Sequence, residues 1–240
     1  MANTHSLDLE LDSSRYAYAG DSVSLSITGD FTFEAWVKFE STPGAGGWYH
    51  ILAKDSGLAD TNRSYSWVLR NDTGLKMFAY VFNSAGNPDA RYWAWTPTTG
   101  VWYHIAVTCD ISQAVATELE FFVDGVSQGN GTASSDVGVT AINDSTVNFT
   151  IGARNNGLYF DGCIDEVRVW NDIRSVAEIL ANKDRELTGG EANLAAYWKL
   201  NNSYLDATAN GNTLTAVNSP VFSTDIPFIW NDFVPKVIII

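Results

Sequence analysis

The chain has 240 residues, of which 45% are hydrophobic and 13% aromatic, enough for one large all-β domain or two small ones. The 28 acidic residues against 14 Lys and Arg give a net charge of −14, which argues against nucleic-acid binding because phosphate contacts need a basic surface. No stretch reaches the length of a membrane span, and residues 1–20 lack the apolar segment of a signal peptide. We therefore expect a globular chain without membrane insertion.

Alternation of apolar and polar residues predicts β-strands from the start of the chain. Leu7, Leu9 and Leu11 fall on one face of the first run, and acidic residues fall on the other. Later strand-like runs are DFTFEAWVKFE, SYSWVLRND, GLKMFAYVFN, ARYWAWT, GVWYHIAVTCD, ATELEFFVDGV, STVNFTIGA, CIDEVRVW, NLAAYWKLN and NTLTAVN. Turn residues separate them at intervals of about ten residues, which is typical of an antiparallel β-sandwich or jelly roll. We predict one such domain over residues 1–226.

A single short helix is predicted near residues 175–187. Ser175 and Glu178 have the spacing of a capping box, in which the side chain of each residue accepts from the backbone of the other. The Gly189–Gly190 pair is expected to end the helix.

Six segments occur in an order that resembles a known family: GDFTFEAWVKF, GVWYHIAVTCD, LEFFVDGVSQG, FTIGA, FDGCIDEVRVWNDIRSVAEI and LAAYWKLN. The chain resembles the laminin-G-like jelly-roll domains of the concanavalin A-like lectin and glucanase superfamily, with pentraxins as relatives. This resemblance covers residues 6–224 and implies an all-β fold of two antiparallel sheets, with a helical turn after VRVW. The superfamily includes lectins, glycosidases and adhesion modules, so the function must be argued from the site residues.

Catalysis is not expected, and no catalytic residue is proposed. Retaining glucanases of the superfamily carry two carboxylates on one strand, where alternation directs both into the cleft. The nearest runs are DLELD at residues 8–12 and ELEFFVD at residues 118–124, and neither matches that pattern. We expect the carboxylates of both runs, Glu118 included, to lie on solvated outer faces.

One calcium ion is a further possibility, because loop carboxylates and amides are the ligands that this ion prefers. Pentraxin-like proteins place an Asp–Asn pair where this chain has KDSGLADTNRS, and they add acidic residues where it has IGARNNG. Arg154 stands at a position where an acid is needed, which argues against a two-ion site. The candidate ligands are Asp55, Asp60, Asn62 and Asn155. The alternative is that these residues only form turns.

Aromatic residues on two strands form the candidate carbohydrate site. Alternation places Arg91, Trp93 and Trp95 on one face of their strand, and Tyr65 and Trp67 share a face of another. Exposed rings can stack on the apolar face of a sugar, and an arginine can bind its hydroxyls. The alternative is that Trp93 and Trp95 pack inside the sandwich.

The apolar tail at residues 227–240, PFIWNDFVPKVIII, is not explained by the resemblance. It either packs on its own domain or contacts another subunit, because exposed aliphatic residues promote association. We therefore predict a recognition module that contacts glycans at an extracellular, virion or cell surface. The alternative is a structural component of a virion or another assembly that self-associates through the tail. Cys109 and Cys163 are either paired or free, with free thiols favoured.

Overall fold

A computed structural model describes residues 3–57, 61–155 and 157–228. The strands within these ranges are β1 (Ser6–Leu9), β2 (Tyr16–Ala19), β3 (Phe31–Phe39), β4 (Trp48–Asp55), β5 (Arg63–Asn71), β6 (Leu75–Phe82), β7 (Pro88–Ala94), β8 (Trp102–Cys109), β9 (Leu119–Val123), β10 (Val126–Gly129), β11 (Thr132–Ser135), β12 (Phe149–Ile151), β13 (Gly162–Trp170), β14 (Leu194–Trp198), β15 (Thr215–Val217) and β16 (Val221–Ser223). Most of them agree with the alternating runs of the sequence, whereas β2, β4, β11 and β16 lie outside those runs.

The strands form two antiparallel sheets, which confirms the predicted sandwich. The first sheet has the order β10-β9-β8-β3-β13-β1-β16, and β14 also pairs with β13. The second sheet has the order β11-β7-β6-β5-β4-β12-β2-β15. Each sheet therefore has one face toward the interior of the sandwich and one outer face, and the outer faces are the surfaces on which a site can be built.

Aromatic and aliphatic side chains from both inner faces fill the space between the sheets. Phe31 and Phe33 of the first sheet are stacked with ring centroids 4.1 Å apart, and Phe33 packs 4.9 Å from Tyr65 of the second sheet. All three side chains are almost fully buried. Because each such aromatic residue removes a large apolar area from water, these contacts contribute to the stability of the sandwich.

The helix α1 (Val176–Asn182) lies on the outer side of the first sheet. Ser175 and Glu178 form the predicted capping box. The helix ends at Asn182, so the prediction that it extends to residue 187 is wrong. Its last carbonyls bond to the sheet instead of to further turns, because Asn182 accepts from Arg168 at 3.0 Å and Lys183 accepts from Trp36 at 2.7 Å.

Three other expectations concern the cysteines, membrane insertion and the C-terminal tail. Cys109 and Cys163 are both buried and free. In the part of the chain that the structure describes, no helix has the length and apolar character needed to cross a membrane. Most of the apolar tail, residues 229–240, lies outside the described ranges, so its role in assembly stays a prediction.

Candidate functional site

Two of the five residues predicted to contact sugars lie in the core. Tyr65 and Trp67 point into the sandwich and are 0% and 1% exposed. The Tyr65 hydroxyl donates to the backbone carbonyl of Leu25 at 2.7 Å. A sugar can stack only on a ring with an open face. The prediction that Tyr65 and Trp67 contact a sugar is therefore wrong, because their strand turns its bulky rings inward.

Arg91 is also used by the fold rather than by a ligand site. Its side chain points inward, since it pairs in register with Ala79 of the core, and only 6% of the residue is exposed. The guanidinium donates to the carbonyls of Asn130, Val115 and Gly131 at 2.6, 3.1 and 2.9 Å. These bonds fasten β7 to the segment before β11. The structure therefore gives Arg91 a structural role in place of the predicted contact with sugar hydroxyls.

Trp93 and Trp95 remain partly accessible at the C-terminal end of β7, the strand that also contains Arg91. Their rings stack on each other with centroids 5.5 Å apart, and Trp95 packs edge-on against Tyr103 at 5.2 Å. Both tryptophans are half-buried and pack against the core. The pair therefore combines packing with an exposed edge, and it stays a candidate contact for a ligand.

The two loops predicted to bind calcium, around Asp55 and Asn155, lie next to each other, but Asp55 is paired with arginines instead of being free to bind a cation. Asp55 is buried, and its carboxylate accepts from Arg63 at 2.7 and 3.1 Å. A second guanidinium, that of Arg154, lies 4.0 Å from the same carboxylate. A carboxylate surrounded by two cations is already neutralised, so it attracts a further cation only weakly.

The other predicted calcium ligands add little to that site. The Asn155 side chain donates to the Ser56 carbonyl at 2.7 Å, and the Asn62 carbonyl accepts from the Ser56 amide at 2.9 Å. Asp60 lies outside the described residues. The described part of the predicted calcium site therefore does not fit a calcium ion.

A second group with metal-ligating atoms lies elsewhere, on the first sheet. The carboxylates of Asp8 and Glu40 and the Cys163 sulfur lie within 4.8 Å of one another. Burial raises the pKa of the Cys163 thiol to about 12, so losing its proton to a metal ion would be costly. We assign no ion to this group, because exposed acidic groups often lie together without one.

The outer face of the second sheet carries a cluster that the sequence patterns did not single out. We name it the arginine face and define it by Trp48, His50, Arg63, Arg70, Tyr80 and Arg154. Alternation in β4 turns Trp48 and His50 outward, while the next strands supply Arg70 and Tyr80. Trp48 is directly opposite Arg70 in the register of β4 and β5, so the indole and the guanidinium meet across the strand pair.

Cations and rings are stacked throughout the arginine face. The Arg70 guanidinium carbon lies 3.7 Å from the Trp48 ring centroid and 4.3 Å from that of Phe78. Arg70 also donates to the Tyr80 hydroxyl and, at 2.9 Å, to Asp72. Arg154 approaches the Trp48 ring at 5.6 Å. Each stacked pair fixes a guanidinium in one orientation, and Arg70 and Arg154 keep 16% and 18% of their side-chain surface exposed.

The three arginines of the arginine face act electrostatically on His50, a buried histidine of the same face. His50 is 0% exposed, and neither ring nitrogen has a hydrogen-bond partner among the described residues. Burial, followed by the charges of Arg154, Arg70 and Arg63, holds the pKa of His50 well below its usual value. Burial also lowers the pKa of Arg154, although Asp55 opposes the shift. The face is therefore a cationic region on a chain of net charge −14.

Comparison with known families places the fold. A laminin G family model, described as "Concanavalin A-like lectin/glucanases superfamily", matches residues 11–180 of the chain. No curated protein sequence matches it.

Three solved structures share the architecture at low sequence identity. A proposed carbohydrate-binding protein from Bacteroides ovatus has a TM-score of 0.66 at 18% identity, over 92% of this chain and 62% of its own. A heptameric SAP-like pentraxin from Limulus polyphemus has a TM-score of 0.54 at 10% identity, over 92% of this chain and 94% of its own. Tailspike protein 2 of the Escherichia coli O157:H7 bacteriophage CAB120 has a TM-score of 0.51 at 17% identity, over 85% of this chain and 30% of its own. The chain thus spans less than two thirds of the Bacteroides protein.

Proposed function

The chain belongs to the concanavalin A-like lectin/glucanase superfamily, and we propose that it is a non-catalytic recognition module that binds glycans on the arginine face. The observation that carries this proposal is the position of the half-buried Trp48 on an outer sheet face, with the guanidiniums of Arg70 and Arg154 3.7 and 5.6 Å from its ring centroid. Aromatic rings next to fixed hydrogen-bond donors are the combination that sugar recognition requires.

Two properties of the arginine face support this assignment. Its donors are held in place by stacking and by the Asp55 and Asp72 carboxylates, so little side-chain entropy is lost when a ligand binds. The helix α1 packs on the opposite sheet, through Ile179 against Ala106 and Phe122, and leaves this face to the strands. The similarity to the Bacteroides protein, which is proposed to bind carbohydrate, agrees with the assignment.

Acidic residues of the run at residues 118–124, which does not match the glucanase pattern, belong to the turn and the interior of the fold, and this favours recognition over hydrolysis. Asp124 and Gly125 form the turn between β9 and β10 with φ angles of 52° and 78°, the conformation that a tight hairpin requires. Asp124 also accepts from the His104 backbone amide at 3.0 Å. Glu118 is 2% exposed and is therefore closed to a substrate.

A glycan array screened with the intact chain tests the proposal, with one arm in calcium and one in a chelator. We expect binding in both arms, loss of binding in Trp48→Ala, and retention in Trp93→Ala. Loss in Trp93→Ala alone would move the site to the Trp93–Trp95 pair. Binding only in calcium would return the site to the loop of Asp55, and the absence of binding in both arms would refute the proposed function.

A further inference from the structure

We propose that the arginine face selects glycans that carry a carboxylate, with Arg70 and Arg154 as the residues that bind it. This inference rests on the proposed glycan-binding function and specifies the class of sugar. It follows from the distribution of charge, from the hydrogen-bonding capacity left on each arginine, and from the chemistry of the buried groups below them.

The charge distribution is the first argument. The chain has twice as many acidic residues as Lys and Arg, yet three arginines converge on one small region. Among the described residues, their ion pairs are with two carboxylates, Asp55 and Asp72, which leaves one positive charge in excess. Holding like charges together on a partly buried surface costs free energy, and a bound anion would offset this cost.

The three arginines differ in what they can still bind. Arg63 forms two bonds to Asp55 and stacks on the Phe82 ring at 3.8 Å, so it supports the face without being free for a ligand. Arg154 lies 4.0 Å from the nearest oxygen of Asp55, which is too far for a hydrogen bond. Arg70 donates once from each terminal nitrogen, to Tyr80 and to Asp72, and each of these nitrogens carries a second N–H, whereas its Nε is buried and does not reach a ligand. Arg154 and Arg70 therefore have donors to spare, and both stack on Trp48.

A carboxylate matches those donors better than a hydroxyl does. A guanidinium presents parallel N–H groups that a planar carboxylate accepts in pairs, and such charge-assisted bonds are stronger than neutral ones. Trp48 is half-buried and lies within 5.6 Å of both guanidiniums, so its accessible apolar surface is next to the donors that would bind the carboxylate of the same sugar. The Ser66 hydroxyl and both His50 nitrogens, buried just below, carry no negative charge that would repel the ligand.

The test uses three sugar acids, each compared with its own neutral form. Oligosaccharides ending in glucuronic, galacturonic or N-acetylneuraminic acid, and their methyl esters, are titrated into the intact chain by calorimetry. Esterification removes the charge and leaves the rest of the sugar unchanged. We expect at least one acid to bind about tenfold or more tightly than its ester, and the preference to weaken as salt increases.

Variants then assign the preference to residues. Arg70→Gln and Arg154→Gln should each bring the affinity for the acid to within about threefold of that for the ester, since one charge-assisted pair is lost. Arg185→Gln is the matched control, because the Arg185 side chain is exposed beside α1 and, among the described residues, donates to Asn182 alone. Circular dichroism and thermal melting confirm that each variant is folded.

The outcomes separate this inference from the proposed function. Equal affinity for every acid and its ester, or a preference unchanged in both arginine variants, would overturn the inference. If either of these results were obtained and neutral glycans still bound, the proposed glycan-binding function would remain valid without the preference for a carboxylate. If acids, esters and the neutral glycans of the array all failed to bind, both would be refuted.

Discussion

The outer faces of the two sheets carry the same residue types in different electrostatic arrangements. The first sheet presents Trp170, His104 and Arg168, and the second presents Trp48, His50 and Arg70. On the first sheet Arg168 is fully buried and surrounded by acceptors. On the second sheet Arg70 is partly exposed, and the arginines of the arginine face outnumber the carboxylates that pair with them. The same side chains can therefore either fasten a helix to a sheet or present donors to a ligand.

The cluster on the first sheet is closed by its own residues. Arg168 donates to Glu166 at 2.8 Å and lies 3.8 Å from Glu34. Glu34 accepts from the Trp170 indole at 2.6 Å. Burial by itself raises the pKa of Glu34, but the His104 ring, 3.2 Å away, and the charge of Arg168 outweigh it, so the pKa falls below its usual value.

The same guanidinium also accounts for the position of α1. Arg168 donates to the carbonyls of Asn182 and Arg185 at 3.0 and 2.6 Å, which lie at and just beyond the end of the helix. Removing either member of a buried ion pair lowers the free energy of unfolding strongly, because the other member is left as an unpaired buried charge. The comparison therefore predicts that the first-sheet cluster stabilises the fold, while the arginine face contributes mainly to binding.

The largest expected effect is on Arg168. Arg168→Met should lower the free energy of unfolding by about 3–5 kcal/mol, because it leaves Glu166 and Glu34 buried without their cation. Arg70→Met on the arginine face should cost about 1 kcal/mol or less, since its ion pair is near the surface. Urea unfolding of both variants measures this difference. Equal losses would show that the two faces do not differ in the proposed way.

The next effect concerns Glu118, a buried carboxylate without an arginine bonded to it. It is 2% exposed, neither oxygen has a partner among the described residues, and burial raises its pKa to about 8. Its protonated form is the one that the fold favours. The stability that Glu118 contributes is therefore highest below the pKa of a glutamate in the unfolded chain, near 4.5, and is lost as the pH rises toward about 8.

Glu118→Gln removes the titrating carboxyl group and tests the direction of the pH dependence of stability. At pH 8 the variant should be more stable than the wild type by about 1–3 kcal/mol, and the difference should shrink toward pH 4.5. Thermal melting at a series of pH values provides the measurement. A variant that is less stable at pH 8 would mean that the ionised carboxylate has a partner after all.

A smaller effect is expected at the helix that covers the first sheet. Ser175 accepts from the Glu178 amide at 3.3 Å, and Glu178 accepts from the Ser175 amide at 2.9 Å. Ser175→Ala should cost about 1 kcal/mol of stability, as other N-cap substitutions do. Glycan affinity should not change, because the helix lies on the other sheet. A loss of affinity in a folded variant would contradict the independence of the two faces.

The smallest effect is expected from calcium. Because Arg63 and Arg154 already neutralise Asp55, millimolar calcium should leave the melting temperature unchanged relative to a chelator. Asp55→Asn, in contrast, should lower it by removing the partner of both arginines. A rise of several degrees in calcium that disappears in Asp55→Asn would contradict this interpretation of the loop.

The fold could be predicted from the sequence because its strands repeat a strong pattern. Alternation predicted the β-runs, and the Ser175–Glu178 spacing predicted the start of the helix. The helix ended early because Arg168 and Trp36, distant in sequence, bind its last carbonyls. A local pattern contains no information about such long-range partners.

The candidate site was harder to predict, for two physical reasons. Alternation shows that Tyr65 and Trp67 share a face, but not that this face is the inner one. Glu118 shares the parity of Glu120, yet β9 begins only at Leu119, so the outward alternation does not extend to it. The arginine face joins residues from β4, β5, β6 and the loop after β12, and only the strand pairing brings them together.

The central claim is that the arginine face, and not the first-sheet cluster, meets an acidic sugar. Nuclear magnetic resonance of the arginine Nε–Hε groups tests it directly, with glucuronic, galacturonic and N-acetylneuraminic acid oligosaccharides added in turn. We predict that at least one of them shifts the signals of Arg70 and Arg154 and leaves that of Arg168 unchanged. Unchanged signals from Arg70 and Arg154 with all three sugars, or shifts confined to the indoles of Trp93 and Trp95, would contradict the claim.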